Sequence, residues 1–385
     1  MRSLSADEVR WLRVRAQGLA GDRVGVGDEP AGRTAAVAAA VRTAAALQAQ
    51  AAGPVRLQVW ARTRGLHAAD VDAAVAEVAV VRTWLMRGTI HMVAADDLRA
   101  YLAVLGPVNL RADRRRREQL ELGDSVCARA MDALAKILGG GRALTRAEIV
   151  AEWAGHGVVV DLKSQQPPHL LAFAANSALI CRGPDAARDE PTYVLLDDWL
   201  ASAAAPPPHR TGPDRETALT RLAERYFAAY GPATTADLAA WSGLPAADAK
   251  AAVTLVRDSL EEVEHDGQRL LLQRGAETTP TPPRNPHRLL PRFDPYLLGH
   301  RSRDLILAPA FAKRVNAGGG MIAQTMLDAG RVVGTWKPNL LEPFEDLPSD
   351  LPPDPPPGLP SGLPRGLPSA AANAWQREMD SAAAF

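Results

Sequence analysis

The chain has 385 residues, too many for one small core and enough for two to four domains, and its 47% hydrophobic content is ordinary for a globular protein. No apolar run approaches a membrane span, Met1-Arg2-Ser3 leads into Asp7-Glu8-Val9-Arg10 without an apolar signal core, and two distant cysteines cannot build a structural zinc site unaided. A cytoplasmic protein with no membrane segment, metal or cofactor is expected, and its formal charge of zero hides a marked segregation along the chain.

Ser5-Ala6-Asp7-Glu8 fits a capping box and opens a first helix at Ala6, which Gly21 ends. A second, alanine-rich helix over 34–47 uses Val37, Val41, Ala44 and Ala45 as its apolar face, and a third lies near 69–79. Val80–Met86 and Thr89–Val93 are β-prone runs joined by a tight turn at Arg87-Gly88, which reads as a hairpin. Helices followed by a hairpin make a winged helix.

The pattern recurs twice. Thr145-Arg146-Ala147-Glu148 is a second capping box, followed by a helix over 169–177 and a hairpin from Leu179–Arg182 and Thr192–Leu196. A helix over 216–229, a helix start near Pro232–Leu238, and the Asp266-Gly267 turn between 260–264 and 269–273 form a third copy. After a linker at 278–283, strands at 305–307, 321–324 and 331–336 suggest a small β-barrel. Proline recurs from Pro343 to Pro368, so the tail is expected to be disordered, with at most a short helix near 370–379. The resulting fold class is α+β: three tandem winged-helix units (1–120, 121–205 and 206–277), a small β-barrel (284–340) and a disordered tail (341–385).

Charge follows this plan. Residues 1–120 hold 18 Arg, no Lys and 12 acidic residues, and residues 280–337 hold nine basic and three acidic ones, while the intervening stretch and the tail are acidic. If the two basic blocks meet in space they make one positive surface suited to phosphates, with arginine as the dominant cation. Ahead of Gly53-Pro54, which is read as forbidding helix continuation, stand Gln48 and Gln50. In an extended or turning backbone, residues i and i+2 share a side, so both amides can face one cleft. Read alone, such a pair is more often simply solvated.

Four ordered segments change that weighting: Gln48-Ala49-Gln50 with Trp60–Leu66 downstream, Arg82–Val93, Gly231-Pro232-Ala233-Thr234, and Leu290–Arg303. Together they resemble the AlkZ/YcaQ-type DNA glycosylases over roughly residues 5–337. The resemblance implies tandem winged helices plus a barrel in a C-shaped molecule around DNA. It also implies monofunctional hydrolysis of the N-glycosidic bond of alkylated, cationic N7- or N3-substituted purines, with crosslink unhooking or self-resistance to an alkylating natural product among the family's roles. Its catalytic motif, Gln-aliphatic-Gln/Asp, falls on Gln48 and Gln50. DNA contacts are expected at Arg62, Arg64, Arg82, Arg87, His91, Arg301 and Arg303. The expected partner is double-stranded DNA containing alkylated bases, bound by a monomer. No Lys in residues 1–120 stands ready as a Schiff-base nucleophile, so AP lyase activity is not expected.

Alternatives remain for several of these residues. His91 is read either as a DNA contact or as a packed core imidazole, and Arg114–Arg117 as a solvated helix face or a phosphate contact. Asp294 is read as a salt-bridge partner of Arg292 or Arg301. The competing function is a non-enzymatic winged-helix DNA-binding protein or transcriptional regulator, which would bind duplex DNA and release no base.

Overall fold

The structure, a computed structural model, describes residues 1–20, 24–25, 29–203, 212–275, 282–283, 285–344 and 369–385. The expected helix stop at Gly21 and most of the 278–283 linker lie outside these. Helix α1 (Ala6–Ala16) starts on the expected box, Ser5 Oγ accepting from the Glu8 N–H at 3.3 Å and Glu8 Oε2 from the Ser5 N–H at 2.7 Å. Helix α2 (Pro30–Thr43) ends earlier than its alanine content suggests. Ala45 takes φ +61°, and the chain then enters a two-residue strand β1 (Leu47–Gln48). Gly53-Pro54 does not keep the chain out of a helix. It lies in the first turn of α3 (Ala52–Trp60), where a proline's missing N–H has no intrahelical partner to lose.

Helix α4 (Ala68–Ala76) leads to the first hairpin, β2 (Val80–Trp84) and β3 (Ile90–Ala94). Helix α5 (Ala95–Ala112) and the short α6 (Arg114–Gln119) run on from it. The second unit comprises α7 (Asp124–Ile137), β4 (Leu144–Thr145), α8 (Arg146–Gly155), α9 (Gln166–Asn176), β5 (Ile180–Arg182) and β6 (Thr192–Leu195). Its capping box on Thr145 and Glu148 forms as expected. The third has α10 (Leu196–Ala201) before it, then α11 (Arg215–Tyr230), α12 (Thr235–Ser242), α13 (Ala246–Leu255), β7 (Leu260–His265) and β8 (Gln268–Gln273). Asp266 and Gly267, with φ +49° and +73°, close that hairpin in two residues.

The first two hairpins do not stand apart. One bridge between Arg82 and Arg182 joins β2 to β5, giving a six-stranded sheet in the order β1-β3-β2-β5-β6-β4. The third hairpin takes Arg2–Ser3 as a parallel edge strand. Val81 and Val93 on one face of the large sheet pack with Tyr101 of α5 and with Leu222 and Tyr226 of α11, so the first and third units share a core.

The C-terminal region differs from the expected barrel. β9 (His287–Leu290), β10 (Thr325–Asp328), β11 (Arg331–Lys337) and β12 (Leu340–Pro343) form an open antiparallel sheet in chain order, with no closure between its edges. Residues 305–307 form a turn, and only Met321 of 321–324 makes a bridge. The short helix allowed near 370–379 is present and longer than expected. Ser369–Ala384 forms helix α14, whose Trp375 is fully buried against His287 of β9, the rings 4.8 Å apart. Trp60 of α3 donates to Ser381 at 3.0 Å, so α14 ties the C-terminal sheet to the first unit. Among the described residues, no helix is long and apolar enough to cross a membrane.

Candidate active site and nucleic-acid interface

Residues 47–50 alternate in exposure: Leu47 and Ala49 are buried in the first unit's core, Gln48 is half-buried and Gln50 exposed. The Ala49 N–H donates to the Ile90 carbonyl at 2.8 Å, which fixes the backbone at the sheet edge. Alanine in the middle position therefore has a packing role, and the glutamines on either side of it are less buried. Neither amide has a protein partner among the described residues. Behind them, Gln58 of α3 is fully buried and its Nε2 donates to the Gln48 carbonyl at 3.0 Å.

Register supplies the neighbours. Gln48 lies opposite His91, and His91 opposite Thr83, so these three side chains share one face of the sheet. His91 is 3% exposed and its Nδ1 lies 3.0 Å from the Thr89 carbonyl; a carbonyl can only accept, so Nδ1 carries the proton and Nε2 a lone pair. Burial, and then the charge of Arg87, push the His91 pKa down to about 3, leaving a neutral imidazole at physiological pH. Arg87 sits at the hairpin tip with φ +54°, its guanidinium donating to the Trp241 carbonyl of α12. Burial chiefly, and then the nearby charge of Arg303, disfavour the Arg87 charge, and Arg303 itself donates to the Leu297 carbonyl at 2.7 Å. The two basic blocks of the sequence thus meet beside the glutamine pair.

A comparison with known families finds that residues 41–341 match the family described as DNA glycosylase AlkZ-like. This chain belongs to the AlkZ-like DNA glycosylase family. It is 27% identical over 310 residues, covering 76% of this chain and 79% of the relative, to a protein of Streptomyces sahachiroi named interstrand DNA cross-link repair glycosylase. Its fold matches a solved structure, Streptomyces sahachiroi DNA glycosylase AlkZ, with a TM-score of 0.78 at 22% identity, covering 99% of this chain and 96% of the other.

Not every arginine expected at the interface of this AlkZ-like chain reaches it. Arg62 is 2% exposed and makes a two-pronged pair with Asp294 at 2.9 and 3.0 Å, with Gln17 Oε1 at 2.9 Å and the Gln58 carbonyl at 3.0 Å taking further N–H groups. Its fork is spent inside the protein, and Asp294 finds its cation here rather than at Arg292 or Arg301. Arg82 is likewise buried. It pairs with Asp185 at 2.6 and 3.0 Å on the sheet face opposite Gln48, because its register partner is Met92. Both are structural ion pairs in place of the expected DNA contacts.

Arg64 and Arg301 are exposed with unpaired guanidinium groups among the described residues. Arg301 lines a cleft of about 680 Å³ with Arg10, Arg13 and His300, but also with Asp237 and Asp304, so its field is partly neutralised. In the Arg114–Arg117 run, Arg114 pairs with Glu118 on an exposed face while Arg117 is buried over Phe173, 4.9 Å from the ring centroid. Tyr296 is buried in the C-terminal core and Phe293 packs against that core from a half-buried position.

Two residues at the glutamine motif escaped the sequence reading. Gln58 carries no local signal, since its role depends on a chain reversal and a distant loop. Arg292 lies inside a segment already singled out, yet only the structure brings its backbone next to Gln48, as the second acceptor of Gln58 Nε2 at 3.3 Å.

Proposed function

We propose that this protein is a monofunctional DNA glycosylase that hydrolyses the N-glycosidic bond of N7- or N3-alkylated, cationic purines in duplex DNA, including adducts that crosslink the strands. The observation that carries this reading is the unpartnered Gln48 and Gln50 pair, held on either side of a core-packed alanine at the junction of two basic segments. The name of the Streptomyces sahachiroi relative supports the crosslink substrate. In this reading three helix–hairpin units (1–120, 121–205 and 206–277) act as winged helices. With the C-terminal sheet region (284–340) they curve around the duplex, and one copy of the chain suffices.

The chemistry suits uncharged catalysts. A purine alkylated at N7 or N3 already carries a positive charge and leaves as a neutral base, so no general acid is required. The remaining demands are a placed water and stabilisation of a cationic sugar. The amide oxygens of Gln48 and Gln50 orient that water toward C1′ and turn the negative ends of their dipoles to the developing oxocarbenium charge. One pre-aimed dipole contributes about 2.7–4 kcal/mol by analogy with a single oxyanion-hole donor, or roughly 10²–10³ in rate. Neutral His91 adds an acceptor nitrogen beside Gln48 without adding a competing cation. Reaching C1′ requires the lesion to be at least partly displaced from the stack.

The test is to incubate the protein with a duplex carrying 7-methylguanine. Free 7-methylguanine should appear while the strand stays intact until alkali is added. Sequence-selective binding without base release would favour the DNA-binding-regulator reading, and strand cleavage at the abasic site without alkali would refute the monofunctional one.

A further inference from the structure

Gln58 and Arg62 lie four residues apart, one turn along the chain from the middle of α3, and both engage the same short loop, Pro291–Asp294. Gln58 takes the Arg292 carbonyl and Arg62 takes the Asp294 carboxylate. Phe293 between them has φ +60°, a left-handed conformation unfavourable for a residue with a β-carbon and kept here by attachments on both sides. Because one buried amide donates to both the Gln48 and the Arg292 carbonyls, the two backbones are only two hydrogen bonds apart. The Gln58 side chain has no exposure, so its role is internal.

Arg292 differs from the arginines around it. Arg62 and Arg82 are buried in ion pairs, and Arg87 and Arg303 each spend an N–H on a backbone carbonyl. The Arg292 side chain is exposed, and its guanidinium has no partner among the described residues. A pinned, strained backbone that holds an unengaged guanidinium beside a catalytic motif is the arrangement expected of a phosphate grip. Arginine's planar fork suits that role.

We propose that Arg292 binds the backbone phosphate next to the nucleotide whose sugar faces Gln48 and Gln50, and that Gln58 is the positioning residue that holds this grip in register with the glutamine pair. The proposal rests on the glycosylase reading for which nucleotide is held, but the phosphate contact itself is measurable without any base release. Holding the phosphodiester fixes the sugar, and with it C1′, relative to the two amides.

The test uses the full chain with Arg292→Ala, Arg292→Lys and Gln58→Met. Binding to an undamaged duplex is measured between 50 and 200 mM NaCl, and release of 7-methylguanine is followed under single-turnover conditions. For Arg292→Ala the slope of log affinity against log salt should become shallower by about 0.9, one phosphate contact, and Arg292→Lys should restore it. Gln58→Met should leave the slope unchanged and slow base release by about tenfold at saturating DNA, with no change in apparent affinity. An unchanged slope in Arg292→Ala overturns the grip. Wild-type release at Gln58→Met overturns the positioning role. Should Gln58→Met fail to fold, the Arg292 slope still decides the contact. A wild-type protein that releases no base while Arg292→Ala lowers the slope would refute the glycosylase reading and uphold the grip.

Discussion

Replacing Arg62 by Met separates a structural arginine from a DNA-binding one. Arg62 and Asp294 have side-chain exposures of 1% and 0%, and their two hydrogen bonds of 2.9 and 3.0 Å join the residues just after α3 to the loop that lies beside Gln48. Gln17 extends this junction, accepting from Arg62 at 2.9 Å and donating to the Ala229 carbonyl of α11 at 2.8 Å. In Arg62→Met the Asp294 carboxylate stays buried, with the Tyr296 N–H as its remaining donor at 3.0 Å. Breaking such a pair from one side costs about 3–5 kcal/mol, most of it the stranded charge. Asp294→Leu should cost a similar amount by stranding the guanidinium, whereas the double variant should recover much of the loss, because two apolar groups need no partners. Urea unfolding followed by tryptophan fluorescence, read as a double-mutant cycle, gives the coupling. The salt dependence of duplex binding should stay at its wild-type slope in every variant that folds. An Arg62→Met protein within about 1 kcal/mol of wild type and with a shallower salt slope would return Arg62 to the DNA surface and refute this reasoning.

The pH dependence of stability has a definite sign. Burial, followed by the charges of Arg87 for His91 and Arg13 for His300, holds both imidazoles at a pKa of about 3, below the unfolded value of about 6.5. The unfolded chain then binds more protons between those values, so this stability is present above pH 6.5 and lost as pH falls toward 3. Between pH 7 and 5 each histidine contributes a loss of about 2 kcal/mol, and His91→Asn should remove its share from the urea midpoints at the two pH values. An identical pH profile in that variant would contradict a buried, neutral His91. Trp375→Ala should cost about 3–5 kcal/mol, since the ring is fully buried in the C-terminal core. A loss below 1 kcal/mol on urea unfolding would contradict the docking of α14 on the C-terminal sheet.

Local chemistry made several helix starts and the last hairpin turn legible. Each of Ser5-Glu8, Thr145-Glu148 and Thr234-Asp237 closes a capping box, and Asp266-Gly267 makes a two-residue turn, because these features are settled within four residues of chain. The glutamine pair was singled out by the resemblance of four ordered segments and not by local chemistry, and its setting was not legible. Gly53-Pro54 looks like a break, whereas the first turn of α3 absorbs both residues without losing a bond. Helix α5 carries Gly106-Pro107 in its middle, and the glycine is needed because a Cβ there would lie 2.3 Å from the Asn176 carbonyl oxygen of α9. That packing constraint leaves no trace in local propensity.

The interface arginines show the same limit from the other side. Arg62 and Asp294 are 232 positions apart, and Arg82 and Asp185 are 103 apart, so sequence marks the cations but not the carboxylates that bury them. Closure of a barrel also depends on edge pairing between strands, and among the described residues the four strands here pair only with their chain neighbours. The identity of the strands suffered as well, since the turn at 305–307 is as apolar as a strand while serving the core through Ile306 and Leu307.

Single-turnover release of 7-methylguanine by wild type, Gln48→Ala and Gln50→Ala, at protein concentrations that saturate binding, tests the central claim most directly. Each substitution should slow release by roughly 10²–10³-fold while duplex affinity stays within about twofold, because the amides act on the sugar and water rather than on the phosphates. Wild-type release rates in both variants would contradict the account.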